Sequence, residues 1–161
     1  MNQLFEQQLT KTTDDWYTPK WVFDGLGLTF DIDVASPGDG TDHVPAKKRY
    51  TAADDGLAQE WHGLIWCNPP YSAPTKWCYR YEHHPDALIL IRADLSTKGP
   101  YAAFTASDAI WIPAGRLQFV NGRGGRTGAV NFSTILLGKG QQAVKGMKQL
   151  ATINGTTRLL N

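Results

Sequence analysis

The apolar run Leu64-Ile65-Trp66-Cys67 passes without a break into Asn68-Pro69-Pro70-Tyr71. Four apolar residues stopped by two prolines are typical of a buried strand followed by a stiff turn. A second run, Leu28–Ala35, alternates apolar and polar residues over the length of a strand and stops at Ser36-Pro37-Gly38. The two runs predict neighbouring strands of one sheet, joined by a crossover and ending at the same edge.

The rest of the chain alternates predicted strands with predicted helices. Helical spacing is found in Lys20–Leu26, where Thr18 is predicted to cap the helix and Pro19 to stand in its first turn, and in Ala73–Tyr81. The continuously apolar segment Ala87–Ile91 is typical of a strand covered by helices on both faces. Further strands are predicted at Lys47–Thr51, Ala109–Ile112 and Asn131–Leu137. This pattern predicts an α/β fold, with a single doubly wound, mostly parallel sheet of the Rossmann-like type.

Length and composition limit the kinds of protein that the chain can be. With 161 residues, of which 42% are hydrophobic and 19% charged, it is predicted to form one globular domain and is unlike disordered or fibrous proteins. The 16 basic and 15 acidic residues give a net charge of +1, so any contact with nucleic acid is expected to be local.

The two cysteines are too few for a disulfide framework and lack the partners of a usual zinc site, so we expect a reduced compartment and no metal. Residues 1–14 are polar and are expected to form a flexible N-terminal arm ahead of a domain at residues 15–161. No segment approaches the roughly 18 apolar residues of a membrane span, which favours a soluble, cytoplasmic protein.

The turn at residues 68–71 offers hydrogen-bond acceptors beside a flat ring. The two prolines remove two backbone donors, while the Asn68 side chain and the Pro69 carbonyl each present an oxygen. Two fixed acceptors suit one amino group, and the Tyr71 ring suits a planar base. We interpret the turn as a site for the exocyclic amine of a heterocycle, which attacks a sulfonium methyl group directly and without a covalent enzyme intermediate. Asn-Pro-Pro is also a common structural turn.

Seven short motifs follow one another in order between residues 14 and 137. They are Trp16-Tyr17-Thr18-Pro19, Phe30–Ala35, Asp54-Asp55-Gly56-Leu57, Trp61-His62-Gly63, Trp66–Tyr71, Ala93–Thr97 and Gly115–Phe119. Together they resemble the phage-type, Dam-like family of DNA N6-adenine methyltransferases. The resemblance implies a Rossmann-like methyltransferase fold, S-adenosylmethionine as cofactor, DNA as partner, and action of a phage-encoded or prophage-encoded enzyme in its bacterial host.

The resemblance also implies roles for individual residues. Asn68, Pro69, Pro70 and Tyr71 would hold a flipped adenine and form the catalytic group. The implied cofactor-binding residues are Trp16, Thr18, Pro19, Asp33, Val34, Ala35 and Asp55. The chain has Ser36-Pro37-Gly38 where this fold usually has a Gly-x-Gly turn.

Basic residues near a glycine-rich segment form a candidate DNA contact. Arg116, Arg123 and Arg126 lie in or just before the segment Asn121–Gly128, and a basic loop of this kind suits DNA phosphates. A solvated hairpin loop is the alternative interpretation. Other functions also fit the residues at 68–71, namely methylation of adenine in RNA or of glutamine in a protein, or a non-catalytic module that binds DNA or a partner.

Overall fold

The computed structural model describes residues 16–38, 40, 42–120 and 132–161. In these ranges the chain forms four helices and a seven-stranded sheet. The strands are β1 Phe30–Asp33, β2 Ala46–Arg49, β3 Ile65–Cys67, β4 Ala87–Arg92, β5 Ala109–Ile112, β6 Thr134–Lys139 and β7 Thr156–Leu159. The helices are α1 Lys20–Leu26, α2 Thr75–Glu82, α3 Lys98–Thr105 and α4 Gln141–Ala151. The predicted arm at residues 1–14 lies outside these ranges.

The sheet has the strand order β2-β1-β3-β4-β6-β5-β7. The first four strands of this order are parallel, and β6 is antiparallel to both β4 and β5. Because β6 is antiparallel to both of its neighbours, β5 runs in the same direction as β1 to β4. The carboxyl ends of five strands therefore lie along one edge of the sheet. The predicted α/β sheet is confirmed, with parallel strands at its core and antiparallel strands toward one side.

Helices cover both faces of the sheet, which confirms the doubly wound arrangement. Alternate residues of each central strand point to opposite faces. Trp66 of β3 belongs to the apolar cluster under α1 and α4, whereas its neighbours Ile65 and Cys67 belong to the cluster under α2 and α3. In β4, Leu88 and Ile89 divide in the same way. The continuous apolar runs of β3 and β4 follow from this burial on both faces.

Helix α1 spans Lys20–Leu26, as the sequence predicts, but its N-cap residue lies one position later than predicted. Pro19 is its N-cap residue, with an extended backbone (φ −65°, ψ 145°), and the helix starts at Lys20. The prediction that Thr18 caps the helix is wrong, because Thr18 precedes the N-cap residue and its buried hydroxyl finds no hydrogen-bond partner in the described part of the chain. Gly27 ends the helix in the left-handed conformation (φ 62°).

Other boundaries also differ from the predictions. β1 ends at Asp33 because Val34 and Ala35 already turn toward the following loop. Helix α3 was not predicted, since Gly99-Pro100 suggests a break, but proline is tolerated in the first turn of a helix. Helix α4 and the mostly exposed edge strand β7 were not predicted either. Among the described helices, none combines the length and apolar character needed to cross a membrane.

Candidate active site

The parallel pairing of β1 with β3 brings two of the predicted site residues together. Asp33 ends β1 opposite Trp66 of β3, and Asn68 follows β3 directly. Both residues line one cavity at the carboxyl edge of the sheet. The residues around this cavity are Tyr17, Thr18, Asp33, Ala35, Pro37, Asp42, His43, Val44, Trp66 and Asn68. The predicted cofactor residues Thr18, Asp33 and Ala35 thus share a cavity with the predicted catalytic Asn68.

The side-chain amide of Asn68 is fixed at one end and without a partner at the other. Its Nδ2 donates a 2.8 Å hydrogen bond to the carbonyl oxygen of Trp16. Its Oδ1 is buried and accepts no hydrogen bond from any described residue. Tyr17, the residue after Trp16, forms an antiparallel bridge with Val120, in which each N–H donates to the other residue's carbonyl at 3.0 Å. The Oδ1 end of the Asn68 amide is thus the end that can accept a hydrogen bond from a ligand.

Five buried side-chain atoms lack a hydrogen-bond partner in the described ranges, and all five belong to residues at this edge of the sheet. They are Trp16 Nε1, Thr18 Oγ1, Asn68 Oδ1, Tyr71 Oη and Thr134 Oγ1. Thr134 starts β6 opposite Arg92, the last residue of β4, so it lies at the same edge. A buried polar atom without a partner costs about 1–3 kcal/mol. The concentration of such atoms in one place is typical of a binding site.

The ring of Tyr71 is enclosed by two other aromatic rings. Phe119 and Phe132 contact it edge-on, with ring centroids 6.1 Å and 5.5 Å away. Tyr71 is only 9% exposed, and burial raises the pKa of its phenol, which is therefore neutral. The guanidinium of Arg92 lies 4.5 Å from the centre of the Phe132 ring. Tyr71, Phe119 and Phe132 thus form one cluster of three rings, and the sequence analysis assigned neither phenylalanine to the site.

Asp33 is a buried carboxyl group with few compensating contacts. It is 2% exposed and accepts a 3.3 Å hydrogen bond from the Ala35 N–H. The pKa of Asp33 is raised to about 7, mainly by burial and also by the nearby Asp42, while the Ala35 N–H and Arg49 oppose the shift. A ligand that brings positive charge or N–H donors into the cavity would favour the ionised form.

Asp42 supplies a second carboxyl group to this cavity, and the sequence analysis did not identify it. It accepts hydrogen bonds from the Ser36 hydroxyl (3.3 Å) and the Val44 N–H (3.1 Å), and lies 3.7 Å from the Arg49 guanidinium. His43 lines the cavity next to it. Both residues lie in an irregular loop without periodicity, so no local sequence signal marks them. Within the described ranges, no three His, Cys, Asp or Glu side chains come together as a metal site would require.

The other predicted site residues lie around the cavity or away from it. Trp16, Pro19, Val34, Pro69 and Pro70 are close to cavity residues in the chain but do not line the cavity themselves. Asp55 is exposed, in a turn with positive φ (54°), and Arg116 is exposed after β5. Neither of these two residues reaches the cavity. Arg123 and Arg126 lie outside the described residues.

The turn at residues 53–56 supports the end of β1 through Gly56. A Cβ atom at Gly56 would lie 1.9 Å from the carbonyl oxygen of Val34, next to Asp33. The Gly56 carbonyl accepts a 2.8 Å hydrogen bond from the Trp61 indole, which holds the turn in place. Only glycine allows this close approach of two backbone segments.

Replacing Gly56 with alanine is therefore expected to push the end of β1 out of position. Because the colliding atom is in the backbone, we expect a loss of roughly 1–3 kcal/mol of stability and a weaker affinity for S-adenosylmethionine, measured by thermal unfolding and calorimetric titration. Gly115→Ala is the control, since it meets no atom within 4 Å but strains a positive φ of 89°. It should lower stability while leaving the affinity unchanged. Equal affinities in the two variants would contradict the role of Gly56.

Comparisons with known proteins agree on one family. The family model described as DNA N-6-adenine-methyltransferase (Dam) matches residues 6–155. A relative from Escherichia phage T1, named DNA N-6-adenine-methyltransferase, is 29% identical over 137 residues. That match covers 70% of the chain and 56% of the phage protein, so the chain spans little more than half the length of this relative. No solved structure matches.

Proposed function

Because the chain belongs to the DNA N-6-adenine-methyltransferase (Dam) family, we propose that it transfers a methyl group from S-adenosylmethionine to N6 of adenine in DNA. The observation that carries this proposal is the hydrogen bonding of the Asn68 side chain. Its Oδ1 is buried and without a partner, while its Nδ2 is held by the Trp16 carbonyl. It also lines the same cavity as the buried carboxyl group of Asp33.

Asn68 would act on the amino group of a flipped adenine. Its Oδ1 would accept a hydrogen bond from one N6 hydrogen, and the Pro69 carbonyl would accept from the other. The lone pair of the adenine amine is delocalised into the ring, and two fixed acceptors favour a pyramidal nitrogen with a localised lone pair. In a buried site, such preorganised acceptors have a larger effect than they would in water. Tyr71 would contact the base with its ring.

Thr18, Asp33 and Ala35 would hold the cofactor. The unpartnered hydroxyl of Thr18 and the carboxyl group of Asp33 fit a ligand with hydrogen-bonding groups and positive charge. S-adenosylmethionine, when bound, supplies a methyl group on a cationic sulfur; the sulfur leaves as a neutral thioether, and N6 loses one proton to solvent after it is methylated. The ionised Asp33 would attract the positive charge of this ligand. Trp16, Pro19 and Val34 would support the cavity from outside.

Arg116, Arg123 and Arg126 remain the proposed contacts to DNA. Arg116 is exposed beside the buried Leu117, so its side chain is accessible to a phosphate group. Each phosphate contact should weaken binding as the salt concentration rises. We propose that the protein acts on DNA inside a bacterial host.

The experiment that tests the function offers several acceptors side by side. Purified protein is incubated with tritium-labelled S-adenosylmethionine and with DNA, RNA or protein, and methylated adenines are then mapped at base resolution. We expect label only in DNA, as N6-methyladenine. Incorporation only into RNA or into protein glutamine would contradict the proposal. If calorimetric titration with S-adenosylmethionine gives no heat and no acceptor is labelled, the chain is a non-catalytic binding module.

A further inference from the structure

Residues 16–18, called the strap here, connect Asn68, Val120 and the cavity. Trp16 accepts the hydrogen bond from Asn68, Tyr17 pairs with Val120, and Thr18 lines the cavity. We propose that the Trp16 carbonyl is a positioning group that sets which end of the Asn68 amide faces the target amine, and that the Tyr17–Val120 bridge holds this carbonyl in place. This inference rests on the proposed function.

The chemistry of the amide explains why its orientation matters. The two ends of an asparagine side chain have nearly the same shape, but one end accepts hydrogen bonds and the other donates them. An amide turned by 180° would present N–H groups to an amine that needs acceptors. It would also bring Oδ1 to within about 2.8 Å of the Trp16 oxygen, where two acceptors repel each other. The Trp16 carbonyl therefore selects the orientation in which Oδ1 faces the base.

Contacts at Trp16 itself and at the residues after it hold the strap in place. After Trp16, the Tyr17–Val120 bridge contributes two backbone hydrogen bonds of 3.0 Å. The Trp16 ring contacts the Phe119 ring, with centroids 6.2 Å apart. Beyond Thr18, the chain enters helix α1 through Pro19, whose φ is restricted by its ring. These contacts leave the Trp16 carbonyl little freedom to move away from Asn68.

Asn68→Asp tests the inference through a pH profile. A carboxylate at position 68 accepts hydrogen bonds from an amine but has no proton to donate to the Trp16 carbonyl. Only its protonated form restores both contacts. We expect the ratio of variant kcat to wild-type kcat to be about 0.01 at pH 8. The ratio should rise by about tenfold for each unit that the pH falls. The ratio cancels pH effects common to both proteins. A ratio that does not change with pH would overturn the inference.

Val120→Pro tests the bridge without changing a residue that lines the cavity. Proline removes the N–H that Val120 donates to Tyr17, whereas Val120→Ala removes only side-chain atoms and serves as the matched control. We expect the kcat of Val120→Pro to be at least about tenfold below that of Val120→Ala, with the cofactor Kd of both variants within about twofold of each other. Equal kcat values would overturn the inference.

A spectroscopic measurement separates this inference from the proposed function. The Asn68 side-chain NH₂ signal in ¹⁵N-labelled protein should exchange slowly with solvent in the wild type and faster in Val120→Pro. This exchange rate can be measured without turnover. If the wild type methylates no DNA, that result would refute the proposed function, while the exchange rate would still test the inference about the strap. Fast exchange in the wild type would overturn the inference. If circular dichroism finds that Val120→Pro is unfolded, the wild-type exchange rate and the Asn68→Asp profile decide.

Discussion

Replacing Asn68 with alanine is expected to lower the rate of methyl transfer to adenine by about 10²–10³-fold, the usual effect of removing one preorganised hydrogen-bonding group from an active site. The change removes the buried Oδ1 that is proposed to accept from N6. It also leaves the Trp16 carbonyl without the hydrogen bond that Nδ2 donates. Because Thr18, Asp33 and Ala35 remain in the cavity, the Kd for S-adenosylmethionine should change by about twofold at most.

Single-turnover transfer of tritium from labelled cofactor to DNA measures this rate without interference from product release. Asn154→Ala is the matched control, because it removes the same side chain just before β7, the strand at the opposite end of the strand order from β1, where Asn154 accepts a 3.0 Å hydrogen bond from the Ala114 N–H. That variant should transfer methyl groups at the wild-type rate. Unchanged transfer by Asn68→Ala would refute the assignment of Asn68 as a catalytic residue.

The position of Asp33 and Asn68 at the same edge of the sheet could be predicted, because it depends on short-range sequence patterns. Each residue ends or follows a strand that its apolar residues identify, and parallel neighbours place their carboxyl ends at one edge. The contribution of Asp42 could not be predicted in the same way. Its place in the cavity depends on an irregular loop and on its contacts with Ser36, Val44 and Arg49.

The surroundings of Tyr71 were also beyond prediction from the sequence. Phe119 and Phe132 follow it by about 50 and 60 positions, and no periodic pattern connects them. They reach Tyr71 because β6 inserts between β4 and β5, which places the start of β6 beside the end of β4. Apolar runs identify strands but not their neighbours in a sheet. The part of the site that follows from strand ends was therefore predictable, and the part that follows from strand order was not.

Asp33 is expected to make cofactor binding depend on pH. Its pKa is raised from 3.8 to about 7 in the folded chain, mainly by burial, so the carboxyl group is neutral below about pH 7 and charged above it. A cationic ligand binds the charged form more tightly. The affinity for S-adenosylmethionine should therefore rise with pH up to about 7 and level off above it. In Asp33→Asn the affinity should be about 10-fold to 100-fold lower at pH 8, the equivalent of losing one charge-assisted hydrogen bond, and independent of pH.

Asp33→Asn should lower the affinity for the cofactor but raise the stability of the fold. This difference separates a loss of binding from misfolding. A folded-state pKa above the unfolded value means that the folded chain binds more protons between pH 3.8 and about 7, so its free energy of unfolding falls as the pH rises through this window. Asp33→Asn removes this cost. In the absence of cofactor, we expect the variant to be more stable than the wild type at pH 8, as measured by denaturant unfolding.

Asp31→Asn is the matched control, since it removes a carboxyl group two residues earlier on the same strand. Hydrogen bonds from Lys47 and the Leu64 N–H lower the pKa of Asp31, so its contribution to stability is present at neutral pH and is lost as the pH falls through its folded-state pKa. This variant should be less stable than the wild type at pH 8 and should keep the pH dependence of cofactor binding. If Asp33→Asn retains that dependence instead, another group in the cavity titrates, and Asp33 does not carry the charge that attracts the cofactor.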